Sequence, residues 1–319
     1  MTDIPSQKLF VEEVDVDEYN RIIPRPYVVF NSTRFTQTVV SKCDQVKYLI
    51  FGNNRPRLGI ILGVRDGEFF SPFSAPFGGF SQVSEPTRIQ DILDASQVLR
   101  EYVENSPYAG IRITLPPTIY DESFISKQSS ALLNAGFDLK TVDLNSAFTL
   151  KDFGADYLDR IAYSAKKNYK TGVKNNLEFH IANNDVERLK CYSIIKENRE
   201  SKGRTVKMSY EEVIQTSQVL PADFFYVTYE NETVASAIVF TINSLIAQVI
   251  YWGAHPNFNW LRPTNYLSYN IWGFYHTKGF EIVDIGPSSQ NGVPDCGLLE
   301  FKETIGCRLS MKTSFHWSK

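Results

Sequence analysis

The chain has 319 residues, 43% of them apolar and 22% charged, with a net charge of −3. These are globular values, and the length suits two ordinary domains. No apolar run approaches the roughly 18 residues of a membrane span. The opening stretch, MTDIPSQKLFVEEVDVDEYN, is acidic and broken by charge. It lacks the basic start and apolar centre of a secretory signal, so the expected location is cytoplasmic. Cys43, Cys191, Cys296 and Cys307 show no zinc-ligand spacing. Reduced, mostly buried thiols are expected, with no metal site and no resident cofactor.

In chain order, residues 46–80 (VKYLIFGNNRPRLGIILGVRDGEFFSPFSAPFGGF) read as three strands joined by turns at Gly52-Asn53-Asn54 and Arg65-Asp66-Gly67. A helix follows, with Ile89, Ile92, Leu93, Val98, Leu99 and Val103 at helical spacing. Then come a strand (GIRITLPP), a helix stopped by Gly136, and a strand (DLKTVDL). The second half repeats this order. Residues 223–254 give three strands, a helix runs from Pro263 to Lys278, and the strand FEIVDIG follows. Pro263 suits the first helical turn, where its missing N–H is no loss. The offset between matching elements is close to 175 residues. The expected fold is therefore α/β (α+β), made of two copies of one unit: 1–149 and 150–319.

Between Arg160 and Lys207 twelve Lys and Arg stand against five Asp and Glu, a local excess of +7, so the remainder carries −10. A basic segment within an acidic chain points to a local anionic partner or to a solvated helical face. Arg160, Lys167 and Lys174 are seven apart, and one continuous helix would align them as a phosphate-contacting stripe. Gly172 is expected to fray that helix before Lys174.

An antiparallel meander, a helix and a parallel-entering strand resemble the GNAT acyltransferase unit. Two such units, with PFSAPFGGF in the first, the basic helix RIAYSAKKNYKTGV (residues 160–173) and the closing run HTKGFEIVDIGPSSQNGVPDCGLLEFKETIGC (residues 276–307), resemble the FemAB-type aminoacyltransferase family. That resemblance implies two tandem GNAT-like domains, each a mixed, mostly antiparallel sheet flanked by helices, with the transfer site in the second. It implies transfer of an aminoacyl or acyl group to an amine, such as one on a cell-wall or surface-polysaccharide precursor. The co-substrate would be aminoacyl-tRNA or acyl-CoA. The partner would be anionic: a tRNA end, a nucleotide-linked precursor or CoA. A conventional pyrophosphate loop is glycine-rich, whereas the matching stretch WLRPTNYLSYN (residues 260–270) has no glycine. Bulky Tyr266 and Leu267 are expected to obstruct a pyrophosphate there. An acyl-CoA-dependent N-acyltransferase acting on a sugar or small amine, and a non-catalytic binding module, are the alternatives.

The resemblance places the Phe301-Lys302 pair at the donor site. Lys302, cationic at its ordinary pKa, would stabilise a phosphate or developing oxyanion. On residues alone, an exposed lysine whose stem covers Phe301 is the competing reading. Asp284, ending a strand before Gly286, is placed to orient an amine or accept a proton, or to cap the next turn. Tyr251 and Trp252 end the preceding strand and either line the same cleft or pack in the core. Gly78 and Gly79 offer a backbone turn beside an acceptor, or a structural loop. Nucleophile elbows, paired-histidine zinc motifs and phosphate-binding P-loops are absent from the sequence.

Overall fold

The structure, a computed structural model, describes residues 9–319. The chain divides into two compact units: one runs to Asp143 and includes Met311–Lys319, and the other is Leu144–Ser310.

The first unit contains β1 (Phe10–Val14), α1 (Val16–Ile22), α2 (Thr33–Val39), β2 (Gln45–Gly52), β3 (Pro56–Arg65), β4 (Glu68–Ser71), β5 (Ser81–Gln82), α3 (Ile89–Glu104), β6 (Gly110–Thr114) and α4 (Glu122–Asn134). β7 (Asp138–Thr149) crosses the division. The second unit holds α5 (Tyr157–Arg160), α6 (Tyr163–Lys174), β8 (Glu178–Ile181), α7 (Asp185–Glu200), α8 (Tyr210–Ser217), β9 (Ala222–Tyr229), β10 (Glu232–Thr241), β11 (Ile246–Ala254), α9 (Pro263–Thr277), β12 (Ile282–Pro287), the hairpin β13 (Ser289–Gln290) and β14 (Val293–Pro294), and α10 (Cys296–Thr304). The last strand is β15 (Arg308–Ser318).

Strand order in the first unit is β1-β2-β3-β4-β6-β15, with β5 beside β3. Every neighbour is antiparallel except β4 and β6. In the second unit the order is β7-β12-β11-β10-β9-β8, and only β11 and β12 run parallel. The two orders are equivalent, element for element. Each unit takes its last strand from the other half of the sequence. The division falls inside β7, between Asp143 and Leu144, and Met311–Lys319 belongs to the first unit. The reason is ladder choice: Phe315 lies opposite Ile113, and Phe148 lies opposite Val283.

Local chemistry explains the turns. Asp66 and Gly67 both have positive φ (51° and 75°), as do Glu230 and Asn231 (48° and 66°), the geometry of two-residue hairpins whose twist matches their strands. α4 and α10 end alike. Gly136 (φ 84°) and Gly306 (φ 87°) each take the left-handed position after the helix. Phe137 N–H donates to the Leu132 carbonyl and Cys307 N–H to the Lys302 carbonyl, the outer bond of a Schellman motif in each case. Leu132 and Lys302 are thus structurally equivalent residues of the two units.

The core of the second unit packs α9 and α6 on the sheet. Trp272 stacks on Phe148 with centroids 5.0 Å apart, among Leu267, Ile271, Tyr275, Val239 and Val283. Gly172 is buried inside α6, which continues to Lys174. A Cβ there would meet Leu177 at 3.0 Å and Tyr266 at 3.1 Å, so the glycine permits close packing on α9 rather than fraying the helix. Among the described residues, no helix is long and apolar enough to cross a membrane.

Candidate functional site

The site begins where two parallel strands part. β11 and β12 pair from Ile246↔Ile282 to Gln248↔Asp284. Beyond that register β11 continues to Ala254 and β12 to Pro287 without pairing with each other. Both strands carry a register slip at the point of parting. On β11 the register to β10 slips between Ile238 and Val239, leaving Ile250 as an extra residue. On β12 the register to β7 slips between Asp284 and Pro287. Bulges of this kind re-aim a strand and end its ladder.

Asp284 is fully buried. Its carboxylate accepts from Asn145 Nδ2 at 2.7 Å, Gln248 Nε2 at 2.7 Å and the Gly286 N–H at 2.8 Å. A buried carboxylate needs such donors. Neither amide partner belongs to a sequence motif. Their one signal was a polar residue inside an apolar strand, Gln248 in LIAQVIYW and Asn145 in LNSAF.

Lys302 lies in the last turn of α10 and is 2% exposed. Its ammonium donates to the carbonyls of Ile285 (2.9 Å), Gly286 (2.8 Å) and Pro287 (3.1 Å). An ammonium has three N–H donors, so all are matched. Three successive carbonyls reach one cation because Gly286 adopts φ +75°. Burial pushes the Lys302 pKa down to about 8, while the Asp284 carboxylate pulls it back up. Lys302 is therefore neither the exposed lysine of the competing reading nor an ammonium with an N–H to spare for a phosphate. Asp284 is likewise engaged by donors of the protein itself, one of them the cap of the following turn.

Around them, Phe301 packs edge-on against Trp252 with centroids 6.0 Å apart. Tyr251 points to the other face of β11, where its hydroxyl accepts from the Met208 N–H at 3.2 Å and the Arg199 guanidinium lies 5.0 Å from its ring. Tyr251 and Trp252 thus do not line one cleft side by side. α10 is capped by Asp295, which accepts from the Leu298 N–H and pairs with Arg204 at 3.3 Å.

Arg160 and Lys167 do not form the expected stripe. The chain is extended at Ile161 (ψ 168°), so α5 and α6 are separate helices. Arg160 is paired with Asp156 at 3.0 Å and with the Asp152 carbonyl, and Lys167 is exposed on α6. The cations that do converge lie at the far end of the same basic segment. Arg199, Lys202 and Arg204 flank the end of β11: Lys202 donates to Asn198 Oδ1 at 3.1 Å, and Asn198 donates to the Ala254 carbonyl at 2.5 Å. Burial, then mutual repulsion, lowers the pKa of Lys202, and burial with Arg204 nearby lowers that of Arg199.

Tyr266 and Leu267 of α9 do not stand over the helix start. Leu267 is fully buried, and Tyr266 stacks near Tyr169 of α6 at 5.9 Å. Their bulk is absorbed by packing.

Gly78 and Gly79 belong to the first unit. There β4 and β6 also part after Ser71↔Ile113, but the following loop returns to the breach. Gly78 N–H donates to the Thr114 carbonyl at 2.8 Å, and Gly79 N–H to Ser71 Oγ at 3.0 Å. Both amides are committed, so this loop is structural. An open cavity of about 590 Å³ in the same unit is bordered by Lys47, Tyr102 and Tyr108. Those polar groups are already paired with Glu13 and Gln45. Among the described residues no cluster of three or more His, Cys, Asp or Glu could hold a metal.

No family model matches the chain, and no curated protein matches it either. Solved structures do resemble it. A crystal structure of FemX superposes with a TM-score of 0.70 at 10% identity, covering 97% of each chain. L-PGS from Bacillus licheniformis gives 0.59 at 10% identity over 95% of this chain and 92% of that one. A tandem GNAT protein from the clavulanic acid biosynthesis pathway gives 0.54 at 8% identity, over 97% and 98%. The chain has a FemAB-like fold.

Proposed function

We propose that the chain is an acyltransferase whose second unit receives an activated aminoacyl or acyl group in the gap between β11 and β12. The observation that carries this reading is the parting of those strands past Gln248 and Asp284, which leaves their backbone edges unpaired with each other. The FemAB-like fold supports it. An acceptor amine would attack the carbonyl, forming a C–N bond. The C–O or C–S bond to the carrier then breaks, and the amine proton leaves with the carrier or to water. Lys302 and Asp284 are saturated by internal hydrogen bonds, so catalysis rests on positioning and backbone electrostatics.

The carrier or acceptor is anionic in this reading. Arg199, Lys202 and Arg204 beside β11 would contact its phosphates. α9 opens on Arg262 and Pro263, without the glycines that let a pyrophosphate approach backbone closely, and this favours aminoacyl-tRNA over acyl-CoA as donor. A cell-wall or surface-polysaccharide precursor is the acceptor class that the FemAB resemblance suggests. The saturation of Lys302 and Asp284 also suits a second reading, a binding module that keeps the gap without transfer.

Melting-temperature shifts with acetyl-CoA, a 3′-aminoacyl adenosine and a nucleotide sugar, followed by a transfer assay, test this. The proposal predicts a rise with one activated-acyl probe and amide product with an amine acceptor. Binding of the nucleotide sugar with no donor binding and no product would favour the module.

A further inference from the structure

We infer that Lys302 is a positioning residue that keeps the gap open by withdrawing the end of β12 from β11. The inference rests on the proposed function only for its consequence on donor binding. A parallel ladder continues when carbonyls of one strand meet amides of the next. Past Asp284, the β12 carbonyls of Ile285, Gly286 and Pro287 are taken by the Lys302 ammonium. The Gly286 amide is taken by Asp284, and the Ser288 amide by the Leu144 carbonyl of β7 at 2.7 Å. This shoulder thus spends its hydrogen bonds on α10, on itself and on β7.

The first unit supplies an internal control. Its residue equivalent to Lys302, by position in the matching Schellman motif, is Leu132, which is fully buried. No ammonium is available there to hold β6 carbonyls. The Thr114 carbonyl accepts instead from the Gly78 amide, and the breach is filled by the chain's own loop. A lysine accompanies the open gap, and a leucine accompanies the plugged one. Lys302 itself is fixed from behind, because its carbonyl accepts from Cys307 N–H in the motif that Gly306 makes possible.

Amide hydrogen exchange on the full chain tests this without any ligand. In Lys302→Met, the freed carbonyls should close on β11. Exchange at the gap-facing amides of Val249–Ala254 should therefore slow at least tenfold, with the first unit unaffected; faster exchange there, from carbonyls that take up water while the gap stays open, would overturn the inference. Gly286→Ala is the second variant. A Cβ there meets nothing within 4 Å, so its one effect is to oppose the positive φ that gathers the carbonyls. It should give the same pattern in smaller degree, and it decides the matter if Lys302→Met does not fold. Unchanged exchange on both strands in folded variants would overturn the inference. The donor arm uses whichever of acetyl-CoA or the 3′-aminoacyl adenosine binds the wild type. Lys302→Met should weaken that probe at least tenfold and leave nucleotide-sugar binding within twofold. A kcat loss at unchanged probe affinity would mean direct contact and overturn the positioning role. Slowed exchange in a protein that binds no donor would sink the proposed function and leave the positioning role of Lys302 standing.

Discussion

Lys302 and Asp284 hold one residue between them: the ammonium takes the Gly286 carbonyl at 2.8 Å, and the carboxylate takes the Gly286 N–H at 2.8 Å. Two buried side chains of opposite charge thereby fix the backbone where β12 leaves β11. The carboxylate in turn carries the Asn145 and Gln248 amides, so β7, β11, β12 and α10 meet in one network.

Removing the charge at its centre tests the network. Asp284→Asn keeps the shape but presents an N–H₂ to donors already aimed at the carboxylate, and it strips the Lys302 ammonium of its nearby anion. A loss on the order of 2 kcal/mol is expected, read from urea unfolding of the variant. A change below about 0.5 kcal/mol would mean that the carboxylate is not needed where it sits.

The Lys302 pKa makes a signed prediction. Burial lowers it from 10.5 to about 8, with Asp284, Cys307 and Asp295 as the ionisable groups acting on it. Between those values the unfolded chain holds a proton that the folded chain has released. Wild-type stability relative to Lys302→Met should therefore rise with pH across that window, by on the order of 2 kcal/mol. Unfolding of both proteins from pH 7.5 to 10 measures it. A flat or falling difference would contradict the buried placement.

Gly172 is expected to tolerate no branched side chain. Gly172→Val would push Leu177 and Tyr266 apart and cost about 1–3 kcal/mol, visible as a lower melting temperature. Unchanged stability would place α6 farther from α9 than found.

The cationic cluster separates from the sequence-selected stripe by mutation. Replacing Arg199, Lys202 and Arg204 by Ala should weaken binding of whichever anionic probe binds the wild type and reduce its salt dependence by roughly one unit of slope per cation. Arg160→Ala and Lys167→Ala should leave both within twofold. The reverse result would restore the stripe and remove the cluster from the site.

Much of this architecture is legible from the sequence, for physical reasons. Hairpin turns at Asp66-Gly67 and Glu230-Asn231, helix stops at Gly136 and Gly279, and Pro263 at a helix start are local events, and local chemistry announces them. The exchange of β7 and β15 between units is not, because alternation says that a strand has a buried face and not which neighbour pairs with it. The Arg160–Lys167 stripe assumed helical continuity, which the extended backbone at Ile161 breaks. Resemblance brings out Phe301-Lys302, yet the role of the lysine depends on three carbonyls some 15 residues away. Only a positive φ at Gly286 brings them together, and no pattern of side chains encodes that convergence.

The most direct measurement is a crystal structure with a non-hydrolysable analogue of whichever donor binds. The account predicts its acyl carbonyl between Val249–Ala254 of β11 and Ile285–Pro287 of β12, with Lys302 still on its three carbonyls. A donor seated in the first unit, or an acyl group in direct contact with a Lys302 ammonium released from β12, would contradict it.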